Sequence, residues 1–480
     1  WANAKATIQN AVWGVPAGDT VFIAEGTYNQ TFSVSDGQTI LGGYNATTGV
    51  RDIEQYVTIL DGTNKGKYII VKYDAPPTSP IVIDGLTFQN AIHTQWGGGA
   101  IYMRDNMTVS NCHIINCQGG NAGAIFIDHN SSATVPALVS NCIIELCSAG
   151  SSSAAIYNDN GIIENCIIRG CTGPAGAIYN KAGSIVRNCL LHNNTLTGTW
   201  PDAAVYNKGQ MINCTVCNNY GSEYPGVHSE SDVINCVFWG NQNPSDFSDA
   251  PTYINGAGSS HNVADAGFGK SSAYLSTTLN VNNLDPAGPN FRNPTNFVGA
   301  PTDAGQIAAM QNADFSLTNA SVPLLDLGTA TGAPATDIDG VTRPQANGID
   351  IGAYEFDPNA TIVHVTGLDI VQDTIKVIVG QSGTLSVIIT PANANNKRVL
   401  WTIDNTSIAT ISNGAVTGVS IGETIAHAVS QENSAIGDEA IVVILPVPPV
   451  KYPDEYYAAD SLYHIEIARS EERRVGKECR

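Results

Sequence analysis

Between Asn111 and Cys236 the chain returns six times to one dipeptide: Asn111-Cys112, Asn141-Cys142, Asn165-Cys166, Asn188-Cys189, Asn213-Cys214 and Asn235-Cys236. The cysteines follow one another at steps of 30, 24, 23, 25 and 22 residues, each ending one strand-like run and opening the next. One such unit is too small to bury a core of its own. A repeat of this length built from strand formers therefore has to stack on its neighbours as a solenoid.

The grammar of a coil can be read from one copy. Gly176–Asn180 is a strand, Lys181–Gly183 a turn and Ser184–Arg187 a second strand, after which Asn188 turns the chain into Cys189–Leu191. Asparagine suits that corner because it tolerates a left-handed backbone better than other non-glycine residues. Stacked asparagines at successive corners are expected to bond to one another. By the period of two, each cysteine shares a face with the aliphatic two places on (Ile144, Ile168, Leu191, Val216, Phe238), and that face is expected to point inward. Ten of eleven cysteines lie in the repeats, and several pairs (Cys112/Cys117, Cys142/Cys147, Cys166/Cys171) have a spacing seen in zinc knuckles. Each pair recurs one coil later, however, which stacks like over like. A buried column of free or occasionally bridged thiols accounts for them better than a tetrahedral metal site.

Charged residues make up 14% of the 480, with 47 glycines, as expected of a turn-rich, mainly β chain. A formal charge of −21 argues against a nucleic-acid partner, because nothing would displace phosphate counterions. No run of 18 apolar residues spans a membrane. The chain opens at Trp1 without a signal peptide, which reads as a mature or truncated start. Its basic end, residues 469–480, resembles a translated sequencing adapter and is set aside from fold reasoning.

The opening places Ala4, Ile8, Ala11 and Val12 on one helical face ahead of Gly18–Tyr28, a strand and its turn. This start resembles the entry of pectin-lyase-like right-handed parallel β-helices, in which a short helix lids the end of the solenoid. Gly98-Gly99-Ala100-Ile101, with partial copies at Gly123–Ile125 and Gly176–Ile178 and Phe238–Asn241 as companion, resembles the repeat of polymorphic outer-membrane proteins. Asp314–Gly328, Asp337–Pro344 and Asp350–Glu355 resemble the choice-of-anchor Q domain that closes many bacterial surface β-helices. Asp337 and Asp339 fit a fragment of a calcium loop, but the remaining ligands are missing and turn chemistry explains them better. From Val363 to Ile444, short alternating strands with regular turn signals and a single Trp401 resemble the group 2 bacterial immunoglobulin-like domain. The expected architecture is mainly β. It has a capped right-handed parallel β-helix (1–258), the end of that helix with the anchor-Q resemblance (259–358), an Ig-like β-sandwich (361–446), and a linker with the suspect tail (447–480).

The resemblance to pectin-lyase-like folds leaves the chemistry open, since that fold hosts lyases, hydrolases and non-enzymes. Asp128 and His129 lie in a string reminiscent of pectate lyases, yet no calcium carboxylates or arginine-bearing strand accompany them, so they are weak catalytic candidates. A broader feature is the column Tyr102, Phe126, Tyr157, Tyr179, Tyr206 and His228, each preceded by an aliphatic. If the aliphatics face the core, the aromatics project outward as a ladder that can stack against sugars or a partner protein, extended by Trp96 and Trp200. The alternative orientation sends them inward as filling. The reading that follows is a secreted or cell-surface bacterial protein, monomeric and without cofactor, that binds a polysaccharide or a surface protein. A polysaccharide lyase or glycoside hydrolase, and a purely structural stalk, are the alternatives.

Overall fold

The computed structural model describes residues 4–447 except 6, 67–68, 72–76, 96, 130–134, 199–202, 244–251, 265–280, 283–287, 359–363, 393, 395–396, 398, 413 and 431–432. Trp96, Trp200 and the tail fall outside the described residues. The chain opens with helix α1 (Ile8–Trp13), whose N-cap Thr7 accepts a hydrogen bond from Asn10 N at 3.2 Å. Ile8 and Val12 are buried with Val21 and Phe32, so α1 closes the first coil as the amphipathic pattern predicted.

Above this lid the chain winds as a parallel β-helix. Among the described residues its strands form four parallel sheets of nine, nine, eleven and five strands. In one coil Ile101–Arg104 belongs to the first, Met107–Ser110 to the second, His113–Ile115 to the third and Gln118–Gly119 to the short fourth. That fourth sheet was not foreseen, because two-residue strands leave no period to read. Pairing keeps matching letters together: Ile125 lies on Ile156, Ile156 on Ile178 and Ile178 on Val205. The interior is a stack of such columns, with Ile101, Ile125, Ile156, Ile178, Val205 and Val227 all fully buried.

Two corner columns make this winding possible. Asn111, Asn141, Asn165, Asn188, Asn213 and Asn235 hold φ between 48° and 55°, the left-handed corner expected of them. Asn188 donates to Asn165 and Asn235 to Asn213, each at 3.1 Å, so the side chains bond along parts of the column. The second corner is occupied by Asn90, Asn116, Leu146, Gly170, Asn193, Asn218 and Gly240. Leu146, at φ 55°, is the one branched aliphatic there and carries backbone strain of about 1–2 kcal/mol. The ten repeat cysteines are buried and unbridged, and Cys142 Sγ, for one, donates to Ser140 O of its own coil at 3.2 Å. Burial pushes the Cys112, Cys142, Cys166, Cys189 and Cys214 thiols up, which keeps them protonated.

Coils continue past residue 258 through Val263–Ala264 and Val281–Asn282 in the third sheet. Residues 291–356 then leave the winding and lie on the outside of that sheet. There Phe291, Phe315, Leu317, Leu324, Ile351 and Tyr354 bury the outward side chains of Ile167, Leu190, Val237 and Val263. The corner asparagines flank this cover on both sides. Asn218 donates to Thr295 O at 3.0 Å, while Asn188, Asn213 and Asn235 donate to Thr336, Gly352 and Thr329 carbonyls at 2.6, 3.1 and 2.8 Å. Beyond it, residues 367–445 form sheets of two, four and three strands around an aliphatic core of Leu385, Val416, Ala426 and Val442. Trp401, half-buried on the four-stranded sheet, packs against that core with its ring close to Gly414 beside the three-stranded sheet.

Candidate functional site: an aromatic ladder on the first sheet

Strand alternation decides which way the aromatics face. Ile101 and Met103 enter the interior, so Tyr102 and Arg104 between and beyond them emerge on the outside. Tyr102, Phe126 and Tyr157 accordingly belong to a cluster separate from the core. Tyr102, Phe126, Tyr157, Tyr179, Tyr206, His228 and Tyr253 pair residue for residue through successive coils. The structure thus brings five of the seven proposed ligand-contacting residues into one external column.

The rings are spaced for mutual contact. Centroids lie 5.6, 4.8 and 5.1 Å apart from Tyr102 to Tyr179, with planes within 21° of parallel. Tyr206 turns edge-on to Tyr179 at 4.9 Å, and His228 and Tyr253 stack again at 4.7 Å. Because coils repeat at about 4.8 Å, flat rings in register fill the gap between one strand and the next. This corrects the expected mode of contact: the ring faces cover one another, and edges and hydroxyls look outward.

A polar row borders the ladder, and sequence reading missed it. Arg104 pairs with Asp128 at 2.5 Å, Lys181 with Asp159 at 2.6 Å, and Lys208 with Glu230 at 3.3 Å, each across adjacent coils. The cations also lie over rings, Arg104 5.4 Å from the Tyr102 centroid, Lys181 5.9 Å from Tyr157 and Lys208 5.2 Å from Tyr206. Tyr206 donates to Glu230 at 2.6 Å, and Tyr102 donates to Asp128. Burial raises the Tyr157 and Tyr206 phenols, and burial lowers His228 to about 4, so the ladder carries no charge of its own near neutrality.

Behind the tyrosines runs a second feature that was legible but passed over, the repeated Tyr-Asn at 157–158, 179–180 and 206–207. These asparagines are buried and bonded in series: Asn158 to Asn180 at 2.9 Å, Asn180 to Asn207 at 2.7 Å, and Asn207 to Ser229 at 2.8 Å. The series pins the end of each first-sheet strand and so fixes the tyrosines in line.

The weak catalytic and metal candidates take other parts. Asp128 is spent on Arg104 and Tyr102, and His129 Nδ1 sits 2.9 Å from the buried carboxylate of Asp105. The two neighbours therefore face separate partners and build no common site. Asp337 uses Oδ1 to accept from the Asp339 and Val341 amides and Oδ2 to accept from Glu355 N, the turn role anticipated for it. Among the described residues no group of three or more His, Cys, Asp or Glu is arranged to hold a metal. On the third sheet buried Glu145 meets Arg169 at 2.7 Å, His113 at 3.1 Å and Gln311 at 2.8 Å, tying the solenoid to its cover. Burial would raise the Glu145 carboxyl, but Arg169 and His113 hold it well below the usual range.

Residues 99–264 match the right handed β-helix region family, and residues 364–438 match the group 2 bacterial Ig-like domain. The chain is a right-handed β-helix carrying a bacterial Ig-like domain. Two relatives resemble parts of this β-helix protein. An Ig-like virion protein of Serratia phage KSP90 is 37% identical over 22% of the chain and 36% of its own length. An uncharacterized protein of Clostridium acetobutylicum is 29% identical over 20% of the chain and 10% of its own length. The chain thus spans about a third of the first relative and a tenth of the second. The pairing of modules suits a surface or structural protein of the extracellular side, and no described helix is long and apolar enough to cross a membrane.

Proposed function

We propose that this protein is a bacterial cell-surface or secreted binding protein whose aromatic ladder engages a glycan or a surface partner, without catalysis. The Ig-like domain serves as the spacer between the β-helix and its support. The observation that carries the reading is the external column from Tyr102 to Tyr253, in register over seven coils. Buried apolar columns belong inside a solenoid. An outward row of aromatics with half-exposed Tyr157 and Tyr179 is the apolar, hydroxyl-tipped surface that a binding face would use.

A catalytic reading finds less support. The carboxylates along the ladder are each paired to a cation in an adjacent coil. A glycosidase needs one carboxyl protonated and one free at a set distance, and the polar row offers neither arrangement. The test is a glycan array and a surface-protein pull-down with the wild type and with Tyr179→Ala/Tyr206→Ala, circular dichroism confirming the fold. Binding by the wild type that disappears in the double variant is expected. Equal binding by both would remove the ladder from the function.

A further inference from the structure

We infer that the ladder selects an uncharged, hydroxyl-rich polysaccharide, read at Tyr157 and Tyr179 through their ring edges and hydroxyls. This rests on the ladder being a glycan site and goes further by naming the class of glycan and the atoms that read it.

Three observations carry it. The first is orientation. From Tyr102 to Tyr179 the planes are within 21° of parallel and the centroids 4.8–5.6 Å apart, so each face is occupied by the next ring. A sugar cannot lie flat on Phe126 or Tyr157, whose two faces are both covered. What the column presents to a ligand is the edges of Tyr157 and Tyr179, which are half-exposed on adjacent coils, whereas Tyr102, Phe126 and Tyr206 are buried.

The second is the distribution of hydroxyls. Tyr102 donates to Asp128 and Tyr206 to Glu230, so the outer tyrosines are tied to the polar row. The hydroxyls of Tyr157 and Tyr179, between them, make no hydrogen bond among the described residues, and both residues are half-exposed. Each is a donor and an acceptor, which suits the vicinal hydroxyls of a neutral sugar.

The third is charge. Along the polar row three cations meet three anions, each pair closed across adjacent coils. A polyuronate laid on this row meets Asp128, Asp159 and Glu230 as often as Arg104, Lys181 and Lys208. The chain's −21 adds long-range repulsion. A neutral chain meets no such penalty and can accept from Lys181 or donate to Asp159 at their outer edges.

The experiment is calorimetry of the full chain with β-1,4-linked gluco-, xylo- and manno-oligosaccharides from disaccharide to octasaccharide, beside oligogalacturonates of the same lengths. At least one neutral series should bind more tightly with each added sugar until Tyr157 and Tyr179 are both covered, with Kd little changed by salt, since no ion pairs form. Tyr157→Phe/Tyr179→Phe keeps every ring, as Phe126 already does in the same column, and removes only the two hydroxyls. It should weaken binding about tenfold or more, the loss of two neutral hydrogen bonds. Undiminished binding by this variant, or preference for the uronates, would overturn the inference while leaving the ladder a glycan site. Absence of binding to every glycan, charged or neutral, would instead bring down the reading beneath it.

Discussion

The first and third sheets of this β-helix both push apolar side chains outward, and they hide them in different ways. On the third, Ile167, Leu190, Val237 and Val263 are covered by a separate stretch of chain, residues 291–356. On the first, Tyr102, Phe126 and Tyr206 are 4%, 4% and 7% exposed, and among the described residues each ring packs on the next, with Ala122 beside Tyr102 and Phe126. The difference is one of shape. A flat ring about 3.5 Å thick nearly fills the gap between coils, whereas a branched aliphatic leaves space that only a foreign surface can close. A β-helix can therefore carry an outward aromatic column cheaply, while an aliphatic face demands a cover.

The comparison breaks first where the cover is anchored. Phe315 is 1% exposed between His192 and Phe291, and Phe315→Ala should cost about 3–5 kcal/mol, read as a lower urea midpoint and early proteolysis within 291–356. Glu145→Gln leaves Arg169 buried without its counter-charge and should cost about 3 kcal/mol by the same assay. On the ladder, Tyr157→Ala opens one rung between Phe126 and Tyr179 and should cost only about 1–2 kcal/mol, since its faces lose two stacked partners but no cavity closes around them. A loss equal to that of Phe315→Ala would mean that the two faces are hidden in the same way after all. Leu146→Asn should instead stabilise by about 1 kcal/mol, because asparagine accepts the left-handed corner that the other coils give to asparagine or glycine.

The smallest effect separates the faces by pH. Asp350, within the cover beside Asp337, Glu355, Asp326 and Arg343, is raised by burial to about 6. Its contribution is full below the unfolded value of 3.8 and is lost as pH rises through about 6. His228 on the ladder is lowered by burial to about 4, so its contribution holds above the unfolded 6.5 and is lost as pH falls from there. Between pH 7.5 and 5, amide exchange corrected for intrinsic rates should show more protection in 337–356 and less around His228.

Much of the scaffold was legible beforehand. The Asn-Cys step, the aliphatic two places on and the left-handed corner are local properties repeated at a fixed interval, and repetition turns each into a column. Alternation alone left the tyrosines free to face out or in, and the burial of the preceding aliphatics inside the coil sends them outward. The Tyr-Asn pairs also stood in the sequence, and only their bonding in series was hidden. The ion pairs of Arg104, Lys181 and Lys208 were harder to see, because each joins residues 22–24 apart at positions that carry opposite signs in different coils.

By itself the sequence determined the winding, the inward face and the two modules, since these depend on residue type and period alone. Only the tertiary structure decided that the rings stack on one another instead of offering their faces, and that residues 291–356 lie along the third sheet. Both outcomes depend on which surfaces meet at a distance of many residues. An irregular segment finds its place by fitting a surface that exists only once the coils have stacked.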